Sequence, residues 1–562
     1  MRVAKRRSSR LNLIGDHRRL NASPTQEDAL LRDFHQNGRS PVYAVNGMAA
    51  TSMPIASLTA IEVLRAGGNA VDAAVAACAV LAVVEPQSTG LGGDCFCLYA
   101  PAGGGKVIAL NGSGHSAAAA SIEAIEAAGA VPPADVSPHA VTIPGAVSGW
   151  QLLLDAYGTK GFDELLRPAI RCAEEGFPVH PRVAWDWSLQ VEKLRRAGNK
   201  LFLPGGRAPK EGELFLQTAL AGTLRAIAAR GADAFYTGPV AADMAATLRA
   251  AGGAQTEEDF ANGRLGAEFV DPIHLSWRGL DVWQCPPNGP GIVALMILGQ
   301  LEALGPAPDG PDGATRFHRH IEAARLAYRD RNAFLADPRR RETPVGRLIA
   351  PDYLAALARL IDDQRSLPSL PAPGESALLA NGDTVTLSVV DRDGNACSLI
   401  NSIYQTMGSG IVAERSGVLM QNRGLCFSFE RGHPNSLSPN SRPAHTIMPG
   451  MATRDGRPAI CFGVMGKHYQ PMGQTWLLSN ALEYGMDIQQ ALEFPRVCPY
   501  LGEVEVERRI TPAMRERLSA VGHKLTEVAR PLGGGQAIAI DRERGVLVGG
   551  SDPRKDGAAI GY

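Results

Sequence analysis

The sequence has no charge bias, no disulfide framework and no long apolar run. Its 562 residues carry 56 Lys and Arg against 57 Asp and Glu, a formal net charge of -1. That balance gives no electrostatic case for nucleic acid or an anionic membrane as the main partner. No stretch reaches the roughly 18 apolar residues of a membrane-spanning helix. The basic start, "MRVAKRRSSRLNLIGDHRRL", lacks the apolar run of about 7–15 residues that a secretory signal places after its charges. Residues 1–42 therefore read as a loosely held tail, and the protein as cytoplasmic. The nine cysteines show no paired spacing and read as reduced thiols in a core. In "CFC" at 95–97, strand alternation points both thiols to one face, which argues against a zinc knuckle.

Nucleotide and metal signatures are also missing. "GLGGD" and "LGGGQ" lack the Lys-Ser/Thr ending and the spacing of phosphate-binding loops. "HRHIEAARLAYRDR" brings His320 and Glu322 together without a third ligand at helical spacing, so it reads as a solvated helix face. No metal and no cofactor is expected. No repeat of fixed period is visible.

What is present is a large globular chain with 45% hydrophobic residues, ample for a sizeable core. "SLTAIEVLRAGGNAVDAAVAACAVLAVVEP" predicts two helices split by Gly67-Gly68, the second buried on nearly all sides. "GGDCFCLYAP" and "GKVIALNGSG" predict neighbouring strands. From about Ser148 to Arg365 the periodicity is mostly helical. "LPSLPAPGESALLANGD" is a linker by composition. After it, "TVTLSVV", the turn "DRDG" and "NACSLINS" predict a hairpin, with Asp393-Gly394 supplying the positive-φ turn chemistry. Later segments add "RPAICFGVMG", a helix through "TWLLSNALEYGMDIQQALEFP" and a final β run at "GGGQAIAIDRERGVLVGG". The pattern predicts a layered α+β body.

The junction "NGD" followed by Thr384 raises a chemical question. A threonine hydroxyl needs a base to act as a nucleophile. Cutting the peptide bond before it frees its own α-amine, whose pKa near 8 leaves a useful neutral fraction at physiological pH. A mobile segment before Thr384 and a rigid strand after it suit that scheme. The local window alone better describes a residue that simply opens a strand.

Seven further segments bear on the choice. "GNAVDAAVAACAVLAVVEPQSTGLGGDCF" (68–96), "IPGAVSGW" (143–150), "GDTVTLSVVDRDGNACSLINS" (382–402), "GSGIVAERSGVLMQNRG" (408–424), "SRPAHTIMPGM" (441–451), "GVMG" (463–466) and "GGSDPRKDGAAIGY" (549–562) resemble the γ-glutamyltransferase family, in that family's order and from about residue 43 onward. The resemblance implies an N-terminal-nucleophile hydrolase. Its fold would be a four-layer αββα sandwich, made as one precursor that cuts itself between Asp383 and Thr384. A large fragment, 43–383, and a small one, 384–562, would stay together in one body. Thr384 matches the nucleophile, and Thr386 a polar position two residues on. Ser402 matches a hydroxyl that orients the nucleophile, its alternative being a solvent-facing strand residue. Gly466 matches the first of two oxyanion-hole glycines. The second is Lys467 here, whose backbone is expected to avoid positive φ while keeping its N–H available. Glu85 and Asp94 border the site as structural carboxylates.

The departures concern substrate. Where the family places an Arg for the glutamate α-carboxylate, this chain reads "LNGSGHSA", with Ser113 and His115. Where the family places the acid for the α-amine, it reads "RGLCFSF", with Arg423 and Cys426. The family's serine pair becomes His445-Thr446. Losing both halves of an amino-acid clamp removes charge-assisted hydrogen bonds worth about 1.5–3 kcal/mol each. Arg423, His445, His115 and Lys467 would instead make the pocket rim basic, suiting an acyl group with a carboxylate and no adjacent ammonium. Divergent members of this kind include oxamate amidohydrolases and cephalosporin-acylase-like proteins. The expected partner is a small-molecule amide. A genuine γ-glutamyltransferase and an uncleaved, non-catalytic binding homologue are the alternatives, and a homo-oligomer of the paired fragments stays open.

Overall fold

Alternation along the strand after Thr384 decides the layering. Val385, Leu387 and Val389 join an apolar cluster with the helix Ala70–Val84, while Val390 belongs to a separate cluster on the other face. The fold is a computed structural model that describes residues 38–129, 131–370 and 384–562. Asp383 and residues 1–37 of the expected tail lie outside the described residues.

Two seven-stranded sheets carry the molecule. The first runs, edge to edge, Ala558–Gly561, Met48–Thr51, Val385–Val390, Ala396–Ser402, Asp94–Ala100, Ile108–Gly112 and Glu268–Val270. The second runs Val42–Ala44, Val546–Ser551, Gly534–Asp541, Arg457–Met465, Pro449–Arg454, Leu280–Gln284 and Ile273–Trp277. Every pairing within both sheets is antiparallel. The predicted hairpin forms as Val385–Val390 against Ala396–Ser402, with Gly394 at φ 88° in its turn.

Helices cover both outer faces. Pro54–Arg65 and Ala70–Val84 pack on the first sheet, and all 15 residues of the second helix are buried, as its Ala/Val composition requires. Asn69 caps it, and Asp72 completes a capping box. Gly291–Leu304, Tyr469–Leu482 and Ile488–Glu493 cover the second sheet. The architecture is the expected αββα sandwich. Between the sheets, Phe96, Leu98, Ile400, Met451, Cys461 and Ile538 form an apolar core.

The sheets approach closely where Thr386 meets Gly463. A Cβ on Gly463 would lie 1.9 Å from Thr386 Oγ1, so only glycine fits there. Ser398 Oγ also donates across the gap to the Phe462 carbonyl at 2.7 Å. These contacts align the facing strands in opposite directions, so the Thr384 end of one coincides with the Met465–Gly466 end of the other.

Two expectations need correction. The helix Ala314–Phe334 is not a solvated face: His318, His320 and Glu322 are all buried in it, and His320 stacks on Trp476 with centroids 4.1 Å apart. Residues Arg39 and Val42, expected within the tail, also contact the body. The Arg39 N–H donates to Glu493 Oε1 at 2.8 Å and its Nη1 to the Gly557 carbonyl at 2.7 Å, and Val42–Ala44 forms an edge strand.

Candidate active site

Strand register assembles the site. Val385 pairs with Asn401, which sets Thr384 opposite Ser402, and Ser402 pairs in turn with Asp94. Residues opposite one another in adjacent strands share a face, so Thr384, Ser402 and Asp94 form a row on the inner face of the first sheet. Thr384 Oγ1 donates to Ser402 Oγ at 3.1 Å. Ser402 is completely buried rather than solvent-facing, and its Oγ also accepts from the Tyr404 N–H at 2.9 Å and from Arg423 Nη2 at 3.2 Å.

Arg423 fills the space above this row. It is 0% exposed, donates through Nη1 to Thr446 Oγ1 at 2.6 Å, and lies over the Tyr404 ring at 4.6 Å. Its Nε stands 3.9 Å from Asp94 Oδ2. Asp94 is more than a bordering structural carboxylate. Its Oδ1 accepts from the Gly114 N–H (2.8 Å), the Gly145 N–H (3.1 Å) and Gln421 Nε2 (2.7 Å), and its Oδ2 contacts His445 Nε2 at 3.0 Å. Burial alone would raise the Asp94 carboxyl, but the His445 hydrogen bond, the Arg423 charge and Gln421 hold it below the ordinary carboxylate value.

His445 corrects part of the expected basic rim. Burial, reinforced by the Arg423 charge, pushes its imidazole down to about 3, so the ring is neutral near pH 7. Its Nδ1 accepts from the Ile447 N–H at 3.3 Å, which leaves the proton on Nε2 to be donated to Asp94. His115 stands elsewhere: its Nδ1 meets the Ser116 carbonyl at 3.0 Å, and its charged neighbours are Arg339, Arg442 and Asp259. Ser113 is buried beside the row and accepts from Asn288 Nδ2 at 3.0 Å, while the His445 N–H donates to the Asn288 carbonyl at 2.8 Å. Thr386 shares the inner face but turns its hydroxyl toward Gly463.

Gly466 and Lys467 follow the strand Arg457–Met465 and precede the helix Tyr469–Leu482. Gly466 has φ 119° and Lys467 φ 58°. The expectation that Lys467 avoids positive φ is therefore wrong: the chain holds a lysine in the left-handed region where glycine would be unstrained. Both residues line a cavity of about 310 Å³ with His468, Thr406, Glu505 and Arg530. A second cavity, of about 540 Å³, has His445, Cys426, Gln405 and Arg331 in its wall. Gln405 and Thr406, neighbours in the chain just after Ser402, line the second and the first cavity respectively.

Sequence reading missed Gln421, Tyr404 and Arg331, and underrated Asp94. The Asp94 position follows from pairing "GGDCF" with "CSLINS" in register; the others come from loops and a helix end whose placement no local pattern encodes. A metal-capable trio lies apart, where His318, Glu322 and His523 bring ligand atoms within 4.8 Å of one another. Its members already have protein partners: His318 Nε2 meets the Asp362 carbonyl at 2.9 Å and its Nδ1 meets His523 Nε2 at 2.8 Å, while Glu322 accepts from Arg325 and the Leu367 N–H. No helix among the described residues is long and apolar enough to cross a membrane.

The sequence model of the family described as Gamma-glutamyltranspeptidase matches residues 56–562. The chain is 36% identical to the Glutathione hydrolase-like YwrD proenzyme of Bacillus subtilis, over 92% of this chain and 99% of that one. It is also 36% identical to the Oxamate amidohydrolase proenzyme of Klebsiella pneumoniae, over the same 92% and 99%. Among solved structures, a cephalosporin acylase from Bacillus halodurans superposes with a TM-score of 0.87 at 36% identity, covering 97% of this chain and 99% of the other. The chain is thus an amide-hydrolysing enzyme with an N-terminal-nucleophile fold, and it belongs to the gamma-glutamyltranspeptidase family.

Proposed function

We propose that the protein cuts itself between Asp383 and Thr384, then hydrolyses the amide of a small acyl group bearing a carboxylate, oxamate-like or related. Thr384 Oγ1 attacks the amide carbon and its freed α-amine takes the hydroxyl proton. The backbone N–H groups of Gly466 and Lys467 stabilise the oxyanion, a contribution of about 10²–10³ in rate per donor. The amine leaves with the proton, and water resolves the Thr384 ester. Ser402 orients the nucleophile, Arg423 receives the substrate carboxylate, and Thr446, Ser113 and His445 hold Arg423 and the pocket wall in place. His115, which lies apart from this row, can act only at a distance. Fragments 43–383 and 384–562 would remain joined, because each sheet contains strands from both.

The observation that carries this reading is the charge state around Arg423. Among the described residues, its only carboxylate within 4 Å is Asp94, at 3.9 Å, and Asp94 already accepts four shorter hydrogen bonds. Among the described residues, Cys426 Sγ has Arg423 Nη1 beside it at 3.9 Å, a cation where the family places an acid. The relative named an oxamate amidohydrolase gives the reading further support. The test is a substrate panel on purified protein containing oxamate, γ-glutamyl-p-nitroanilide and simple neutral amides. Turnover of carboxylate-bearing amides without an α-ammonium is expected to dominate. Faster turnover of the γ-glutamyl compound would assign the protein to glutathione-type chemistry instead.

A further inference from the structure

Away from the catalytic row, the trio His318, Glu322 and His523 has proton placements that only a cation reconciles. His318 and Glu322 stand four residues apart on one face of the helix Ala314–Phe334, and His523 reaches them from just after the helix Pro512–Ala520. All three are buried, and one ligand atom of each lies within 4.8 Å of the others. The Asp362 carbonyl, 2.9 Å from His318 Nε2, can only accept, so that nitrogen carries the proton and His318 Nδ1 presents a lone pair. His523 Nε2 lies 2.8 Å from that lone pair. Without a cation, His523 donates through Nε2, which leaves a lone pair on its Nδ1, 3.9 Å from the Glu322 carboxylate. A second proton does not relieve this opposition, because burial beside His318 and Arg325 keeps the His523 ring neutral near pH 7.

A cation between His318 Nδ1 and His523 Nε2 reverses the arrangement. Both lone pairs become ligands, the His523 proton moves to Nδ1 on the Glu322 side, and His318 Nε2 keeps its carbonyl. Metal-bound imidazoles ordinarily have such carbonyl and carboxylate outer partners. An ion about 2.0–2.1 Å from each nitrogen subtends about 90° at the present spacing, the cis angle of a tetragonal or octahedral centre; tetrahedral zinc needs the pair to open by about 0.5 Å. Two imidazoles favour nickel, copper or zinc over magnesium or calcium. The position also joins the two fragments, since His318 precedes the cut and His523 follows it. Residues 362–367, on the way to the cut, are docked here: Asp363 accepts twice from Arg319 at 2.7 Å, the Leu367 N–H donates to Glu322 Oε2 at 2.9 Å, and its carbonyl accepts from Arg325 at 2.9 Å.

We propose that His318 Nδ1 and His523 Nε2 bind a divalent first-row transition ion, with Glu322 balancing its charge, and that this ion clamps fragment 43–383 to fragment 384–562. The ion site stands on the imidazole geometry; the clamp rests on the self-cleavage reading above. Calorimetric titration of chelator-treated full-length protein with Ni2+, Zn2+ and Mg2+ tests the site without any turnover. One saturable site for Ni2+ or Zn2+ and no response to Mg2+ are expected. His523→Gln should weaken that site by about 100-fold, and His318→Gln serves if the first variant folds poorly. Glu322→Gln should weaken it by about 10–100-fold. At a hundredfold excess over Kd the ion should raise the melting temperature of the wild-type protein by about 2 °C. No saturable site, or one undiminished in both histidine variants, overturns the ion site. In cleaved protein the filled site should raise the urea concentration at which the fragments separate, and an unchanged midpoint overturns the clamp. Histidine-dependent binding by a wild-type chain that never cleaves would sink the self-cleavage reading alone; a cleaved protein without such binding would sink the ion site alone.

Discussion

Replacing Asp94 by Asn keeps the side-chain shape and removes the charge around which the site is organised. The carboxylate serves two groups of donors: Gly114, Gly145 and Gln421 on Oδ1, and His445 on Oδ2 with Arg423 nearby. An amide has one acceptor oxygen. If that oxygen stays with the three Oδ1 donors, the new NH2 group faces the His445 N–H and the Arg423 guanidinium, donor against donor. Rotating the imidazole gives no relief, because its other nitrogen already accepts from the Ile447 N–H. Removing one partner of a buried ion pair costs about 3–5 kcal/mol. With an unfolding entropy on the order of 1.2 kcal/mol/K for a chain of this length, the melting temperature should fall by about 3–4 °C. The rate should fall further, by about 100-fold, because Arg423 loses the geometry that positions the acyl group. Scanning calorimetry at pH 7.5 and initial rates on the preferred amide measure both. An Asp94→Asn protein with wild-type melting and wild-type rate would refute the argument that this carboxylate organises the site.

Two other expectations concern stability. The imidazoles of His320, His445 and His523 are each held down to about 3, chiefly by burial. Each is neutral when folded and binds a proton near pH 6.5 when unfolded, so its contribution is complete above that value and lost as pH falls toward 3. The combined slope is at most about 4 kcal/mol per pH unit. Melting temperature should be flat above pH 7 and fall steeply below 6.5, and a flat profile down to pH 5 would contradict the neutral assignments. Gly463→Ala should destabilise by about 1–3 kcal/mol through overpacking against Thr386. Thr386→Ala in the same chain should recover much of that loss in a urea titration, since the clashing Oγ1 is gone.

A layered α+β body was legible because it rests on local pattern: the all-apolar helix after Gly67-Gly68, the alternation after Thr384, and the turn at Asp393-Gly394; the αββα order came only with the family resemblance. The row Thr384–Ser402–Asp94 was half legible, since hairpin register pairs the first two and only sheet order adds the third. The charge of His445 was not legible. Its neutrality follows from complete burial beside Arg423, a tertiary fact. The left-handed backbone of Lys467 ran against residue preference, because the turn between the strand Arg457–Met465 and the helix Tyr469–Leu482 overrides it. Arg331 escaped notice because a helix-end arginine is ordinarily solvated, and only packing of the Tyr404 and Cys426 segments buries it.

The central claim is that the Asp383–Thr384 bond is cut and that Thr384 then does the chemistry. N-terminal sequencing and intact mass of the smaller fragment, taken from the same preparation whose amide turnover is measured, test it most directly. The account predicts a fragment beginning at Thr384, two bands on a denaturing gel, and a single inactive chain for Thr384→Ala. An intact wild-type chain that still hydrolyses the amide, or a fragment beginning at another residue, would contradict it.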